Sequence, residues 1–258
     1  MRLMKRILSA AAVLALSASL LAGCSSGTAS SVPVSASSAA ESTVSSVEET
    51  ASSAVDENEA AAAQLLNDLT GSYQELWPVI LADEYKQTWL DDCTALVGEE
   101  NAEAAFEKLS SMVTSDVYGE DAVEAYANGG GAYFCGFTNS LATLTFDGET
   151  STISGTDKDG NVLFSHTYHY IGMEPVRGLY EFQSDDADSG EFTYFFLAPD
   201  TSAETYHIEF RYGSDAEALS QYDTGEYAYW LASGISTDCD QTMIDNCIEL
   251  FCTENLAG

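Results

Sequence analysis

The feature that most constrains the fold is a run of short strand-like segments between residues 132 and 213. They are rich in β-branched and aromatic residues, and Asp147-Gly148 and Asp159-Gly160 are dipeptides typical of tight turns. Short strands at this spacing predict an antiparallel meander that closes into a barrel or a sandwich. The predicted strands are 132–137, 141–146, 151–156, 161–173, 177–183, 191–199 and 204–213.

Helical patterns lie on both sides of this run. From 58 to 97, apolar residues recur at helical spacing, and Pro78 is expected to end or kink the first helix. Further helical patterns cover 101–116, 120–128, 215–222 and 237–251. The order helices, strands, helices predicts a single α+β domain.

The N-terminus has the form of a secretory signal. Basic residues precede an apolar stretch from Ile7 to Leu21, and Leu21-Ala22-Gly23-Cys24 resembles a bacterial lipobox. That resemblance implies a signal peptide over 1–23 and a lipid on Cys24, which would anchor the protein at the extracytoplasmic face of the cell membrane. The alternative is a plain signal peptide that happens to end near a cysteine.

Residues 24–58 are interpreted as the lipidated cysteine followed by a disordered tether. The segment is nearly all Ser, Ala, Thr, Val and Glu, so it offers too little apolar surface to offset its conformational entropy. A flexible coil of roughly 34 residues reaches about 30 Å. The folded domain is therefore predicted over 59–258.

The charge of the chain excludes some partners. Five basic residues follow Cys24, against all 42 Asp and Glu, which gives 5 − 42 = −37. Such a protein would be repelled by nucleic acid and by anionic lipid headgroups. The charge alone does not specify a metal site.

Cysteine and catalytic motifs narrow the function further. Five of the six cysteines remain once Cys24 is set aside, and an odd number cannot all pair within one chain. Their spacing fits neither a zinc ribbon nor a CxxC motif. The sequence therefore leaves two alternatives for them, small buried thiols or one disulfide. No GxSxG motif or phosphate-binding loop occurs, and GTDKDGN has its glycine at the fourth position rather than the sixth that a calcium loop requires. We therefore predict that the protein is not an enzyme.

The three histidines are the remaining chemical signal. His166 and His169 are three apart on a predicted strand, so they point to opposite faces and cannot share one metal site. His207 shares a predicted strand face with Glu209, while Ile208 and its alternate neighbours are apolar. Two donors are fewer than the three or four that zinc needs.

Four segments together resemble the ZinT family of metal-binding, lipocalin-like domains. They are SYQELWPVILADEY, TYHYIG, VRGLYEF and FFLAPDTSAETYHIEFRYGSDAEAL, in order and in register from about Gly71 to Met243. The resemblance implies a small calycin-like barrel flanked by N- and C-terminal helices, with zinc held near the barrel mouth. It also implies that the family's disulfide positions are changed here, to His166 and Phe182.

The resemblance further implies where a metal would bind. The family's three histidine ligands, carried over by position, fall on Phe196, Thr205 and His207, and only His207 is a histidine. Phe196 has no donor atom, and a threonine hydroxyl is a poor zinc ligand. The usual site is therefore predicted to be degraded, with zinc bound weakly if His207 is joined by Glu209 or Glu204.

Two functions follow from these observations. The first is a surface-anchored lipoprotein that binds or delivers zinc or another divalent metal. The alternative is a metal-independent, lipocalin-like module that takes a small ligand or a cell-envelope partner. Its binding site would be the barrel mouth, lined by Tyr194, Phe196 and the neighbours of Tyr206.

Overall fold

The computed structural model describes residues 57–199 and 207–257. The described strands are β1 (Gly71–Glu75), β2 (Thr143–Asp147), β3 (Thr152–Thr156), β4 (Val162–Met173), β5 (Tyr180–Ser184), β6 (Tyr194–Leu197), β7 (His207–Gly213) and β8 (Ala232–Ser236). The helices are α1 (57–68), α2 (Leu76–Ile80), α3 (Lys86–Val97), α4 (Ala102–Val113), α5 (Glu120–Ala125), α6 (Ala216–Leu219) and α7 (Gln241–Leu256).

The strands form one closed barrel. Each pairs antiparallel with the next strand in the chain, and β1 closes the ring by pairing with β8. The predicted fold class is confirmed: a small antiparallel, calycin-like β-barrel flanked by helices. Helix α1 precedes the barrel, α2 to α5 lie between β1 and β2, and α7 follows β8. The predicted order of the last four segments is also confirmed, since β4, β5, β6 and β7 are consecutive neighbours.

The segment from 69 to 80 differs from its helical prediction. Helix α1 ends at residue 68, Gly71 has a φ of +146°, and β1 follows. Tyr73 turns into the barrel, where its ring centroid lies 5.7 Å from that of Phe146. Pro78 lies in the first turns of α2, where backbone N–H groups lack helical partners anyway, so it neither ends nor kinks α1.

The predicted strand at 132–137 is wrong. This segment contributes only isolated bridges, from Phe134 to Thr114 and to Trp230. The strand that completes the barrel is β8, whose sequence ASGIS was not predicted as a strand. Its small residues allow close packing, because a Cβ added at Gly234 would lie 3.1 Å from a carbon of Ile208.

Aromatic rings fill the interior of the barrel. The ring centroids of Phe164 and Phe192 lie 3.9 Å apart, and those of Phe195 and Tyr212 lie 5.3 Å apart. Phe210 stacks at 5.9 Å from Tyr212 and is fully buried. The barrel interior is therefore a packed core, stabilised by burial of large apolar side chains.

A second buried cluster lies outside the barrel, between the helices. It joins residues of α2, α3, α4 and α7 with Ile235 of β8. Trp89 is fully buried there and donates through Nε1 to the carbonyl oxygen of Ile80 at 2.7 Å. Among the residues that the structure describes, no helix has both the length and the apolar character to cross a membrane.

Candidate functional site

The outer face of β7 carries the polar residues that the sequence singled out. Alternation along the strand directs Ile208, Phe210 and Tyr212 inward, as predicted, and His207, Glu209 and Arg211 outward. His207 and Glu209 are half-buried, whereas Arg211 is fully buried. The three side chains therefore share one face but not one environment.

Phe196 does not meet His207. In the β6–β7 ladder, Phe196 lies opposite Arg211, and His207 is four residues further along β7. At a rise of ~3.3 Å per residue, four residues span about 13 Å, too far for two ligands of one metal. The expectation that these two positions belong to one site is therefore corrected by the strand register.

The other residues proposed for a metal site, the carried-over Thr205 and the substitute donor Glu204, lie outside the described residues. The predicted lipidation site Cys24 lies outside them as well. Within 57–199 and 207–257, no group of three or more His, Cys, Asp or Glu side chains is arranged to hold a metal ion. The assignment of His207 as a ligand stays a prediction.

The two remaining histidines contact aspartate side chains from separate faces of β4. His166 Nδ1 lies 2.7 Å from Asp186 Oδ2, and its ring stacks near Phe164. His169 Nδ1 lies 2.6 Å from Asp185 Oδ1 with its side chain 54% exposed. Their odd separation along the strand matches the expectation that they cannot share a site.

The predicted ligand-binding mouth is also corrected. Tyr194 and Phe196 alternate with inward-facing Phe195, so both lie on the outer face of β6 rather than in the mouth. Phe196 is fully buried and belongs to the main core cluster. It therefore offers no surface to a ligand.

Arg211 is held by backbone oxygens instead of a carboxylate. Its Nη1 donates to the carbonyl oxygens of Leu219 and Gln221, and its Nη2 donates to that of Tyr227. Its guanidinium carbon lies 4.4 Å from the ring centroid of Tyr222. Burial lowers the pKa of Arg211 to about 10. The guanidinium thus fastens the chain after β7 onto the outer face of the barrel.

A buried carboxylate supports the same arrangement. Glu174 is fully buried and accepts from the backbone N–H groups of Val176 and Arg177, each at 2.7 Å. Tyr222 donates its hydroxyl to Glu174 at 3.3 Å, and the guanidinium carbon of Arg177 lies 4.4 Å from the Tyr222 ring. We call Glu174, Arg177, Arg211 and Tyr222 the arginine–tyrosine cluster.

Sequence reasoning missed this cluster. Arg211 lies on the same polar strand face as His207 and Glu209, and the local sequence does not indicate that this face is covered at the Arg211 end. Arg177 and Arg211 are two of only five basic residues after Cys24, and the structure brings both to the same tyrosine ring. In so acidic a chain, a basic residue inside an apolar strand is a candidate for burial against π-electrons and carbonyl oxygens.

A surface groove lies beside the barrel. Its volume is ≈ 340 Å³, and it is lined mainly by apolar residues of α2, the end of α4 and the segment 134–136. Trp77 lines it and is buried, and its Nε1 has no hydrogen-bond partner among the described residues. Glu75, the one acidic residue of the lining, accepts from the backbone N–H of Phe137 at 2.6 Å.

No protein-family model and no curated protein sequence matches the chain. Among solved structures, the chain is similar to the Zn(II)-bound ZinT-like domain of Streptococcus pneumoniae AdcA, at 15% identity and a TM-score of 0.45, over 71% of this chain and 89% of that one. It is also similar to Zn(II)-bound AdcA of the same organism, at 14% identity and a TM-score of 0.43, over 71% of this chain. There it spans only 35% of the longer protein. A likeness at this level assigns no ligand and no ligand-binding residue. ZinT, the family that the sequence resembles, is also the family of the domain found by this structural comparison.

Proposed function

We propose that this chain is a lipid-anchored, extracytoplasmic protein without enzymatic activity, whose ZinT-like domain binds or delivers zinc or another divalent metal. The observation that carries the metal part is the placement of His207 and Glu209. These imidazole and carboxylate side chains lie two residues apart on one half-buried strand face. The sequence resemblance to ZinT places His207 at a ligand position.

The proposed binding is weak. A stable zinc site needs three or four donors in tetrahedral geometry, and two donors leave most of the sphere to water. The segment 200–206 precedes β7 directly and contains Glu204, the remaining donor that the sequence suggests. By ligand count we expect a dissociation constant of about 1 µM or weaker.

Isothermal titration of the purified chain with zinc tests this proposal. His207→Ala should abolish the zinc-dependent heat, and Glu209→Gln should weaken binding at least about tenfold, a loss of ~1.4 kcal/mol. His169→Ala is the matched control, because His169 is an exposed histidine paired with Asp185, and its loss should leave binding unchanged. Binding that survives His207→Ala would remove His207 from the site. Nanomolar binding that depends on His207 would mean that the site is complete rather than degraded.

The lipid anchor has its own test. Mass spectrometry of the protein from a membrane fraction should show an acylated Cys24 at the mature N-terminus. Cys24→Ala should give unprocessed or released protein. An unmodified N-terminus at another residue would contradict the anchor and would leave the metal proposal untouched.

The groove beside α2 favours a second candidate function, a metal-independent binding module. Its apolar lining and the buried, unpartnered Nε1 of Trp77 suit a small apolar ligand that carries one hydrogen-bond acceptor. A fluorescent apolar reporter such as anilinonaphthalene sulfonate should bind in the groove. Because Leu81 lines the groove, Leu81→Asp should abolish that binding. Unchanged reporter binding in that variant would exclude the groove.

A further inference from the structure

Two cysteines far apart in the sequence meet between α3 and α7. Cys93 and Cys252 are separated by 159 residues, yet their Sγ atoms lie 3.9 Å apart. Both residues are fully buried in the helical cluster. We propose that Cys93 and Cys252 form a disulfide that ties α7 to α3.

The geometry needs little rearrangement. A disulfide has an S–S distance of ~2.05 Å, so the two sulfurs must approach each other by about 2 Å. Rotation of a cysteine side chain about its Cα–Cβ bond moves its sulfur by a distance on that scale. Trp89 is fully buried in the same cluster, and α3 and α7 both contribute to it, so the packing already holds the two helices together.

The remaining cysteines are arranged differently. Cys135 lies in the irregular segment 132–137 and is buried in the same helical cluster, where its thiol donates to the carbonyl oxygen of Tyr133 at 3.8 Å. Cys239 lies two residues before α7 and Cys247 lies within it, eight residues apart in the chain. With five cysteines in the domain, at least one thiol stays unpaired within the chain. Of these five, Cys93 and Cys252 are those that tertiary packing brings together from distant elements.

The chemistry is thiol–disulfide exchange with an external disulfide, either oxidised glutathione or the disulfide of an oxidoreductase. The thiolate of one cysteine attacks the external disulfide, displaces one thiolate and forms a mixed disulfide. The second cysteine attacks the protein sulfur of that mixed disulfide and displaces the other external thiolate. The protein loses two protons and two electrons, and the two released thiols carry them.

Burial sets when this exchange takes place. Burial raises the pKa of both the Cys93 and the Cys252 thiols, so little reactive thiolate exists once the helices are packed. The disulfide therefore forms during folding, before the interface closes. Once formed, it is shielded from external reductants by the same packing.

Peptide mapping of the full chain tests the pairing. The chain is refolded from denaturant in a glutathione redox buffer, free thiols are alkylated under denaturing conditions, and the digest is analysed by mass spectrometry. We expect a linked pair of peptides that contain Cys93 and Cys252. Dithiothreitol should reduce it slowly in the native protein and rapidly in urea, and the Tm should fall by about 5–10 °C on reduction.

Variants separate the bond from the packing of the two side chains. Cys93→Ser, Cys252→Ser and the double variant should all lose the reduction-dependent shift in Tm, whereas Cys247→Ser, a buried control on the same helix, should keep it. The proposal is overturned if Cys93 and Cys252 are found alkylated after refolding, or if either is found paired with another cysteine. The refolding test requires neither the lipid anchor nor metal, so its outcome is independent of the proposed function.

Discussion

The outer face of β7 has two ends that differ although they belong to one short strand. At one end, Arg211 is fully buried, and its guanidinium is fixed by three carbonyl oxygens and the Tyr222 ring. At the other end, His207 is half-buried and follows directly after the segment 200–206. The comparison teaches that one strand face has two environments: the chain folds back over it and buries it at the Arg211 end, whereas it is only half-buried at the His207 end.

The largest effect is expected from a substitution at the buried, Arg211 end of the β7 face. Arg211→Met should lower the free energy of unfolding by about 3–5 kcal/mol, because it leaves buried carbonyl oxygens without donors and removes the cation over Tyr222. Urea unfolding followed by tryptophan fluorescence measures this loss. Arg177→Met is the matched control, since Arg177 lies at the same 4.4 Å from Tyr222 but is only half-buried. Equal losses for the two variants, or a comparable loss for His207→Ala, would remove the contrast between the two ends.

A second prediction concerns the residue that faces Arg211 across the ladder. Phe196→His should lower stability by about 2–3 kcal/mol, because a smaller and polar ring replaces a fully buried phenyl group. It should not tighten zinc binding, since the strand register separates residue 196 from His207. Tyr194→His, on the same face but half-buried, is the control and should cost less. Zinc binding tightened tenfold by Phe196→His would show that the two positions converge and that the strand register is different.

The smallest effect appears at alkaline pH. Burial raises the pKa of Tyr222 to about 12 from a model-peptide value of 10.0. Because this pKa is higher in the folded state than in the unfolded state, Tyr222 contributes stability that is complete below pH ~10 and is lost as the pH rises towards about 12. Tyr222→Phe should therefore show a shallower decline of unfolding free energy between pH 10 and 12. Tyr126→Phe, outside the cluster, serves as the comparison, and an identical slope in the wild type and Tyr222→Phe would contradict the prediction.

The middle of the barrel was predictable because its signals are local. Strands β2 to β7 follow alternating or aromatic-rich segments bounded by turn residues, and Asp157 caps one of these turns by accepting from the N–H groups of Asp159 and Asn161. Helices α4 and α5 follow their amphipathic patterns and lie within the predicted 101–116 and 120–128. In each case the residues that decide the structure lie within a few positions of one another.

The closing strands were not predictable for a physical reason. The spacing of Tyr73, Leu76 and Ile80 fits a helix as well as it fits a strand followed by a short helix. Strand β8 is buried on both faces over Ala232–Ile235, so it shows no alternation of polar and apolar residues. Both segments take their structure from pairing with each other, which depends on contacts about 160 residues apart.

The candidate site divides in the same way. The sequence by itself determined that His207 and Glu209 share a strand face, and that His166 and His169 do not, because alternation follows from the pleat of a single strand. Only the tertiary structure decided that Phe196 faces Arg211, that Arg211 is buried, and that the sulfurs of Cys93 and Cys252 touch. Strand register, burial of the β7 face by the chain that follows it, and packing of α3 against α7 all depend on contacts between segments distant in the chain. No local sequence pattern encodes such contacts.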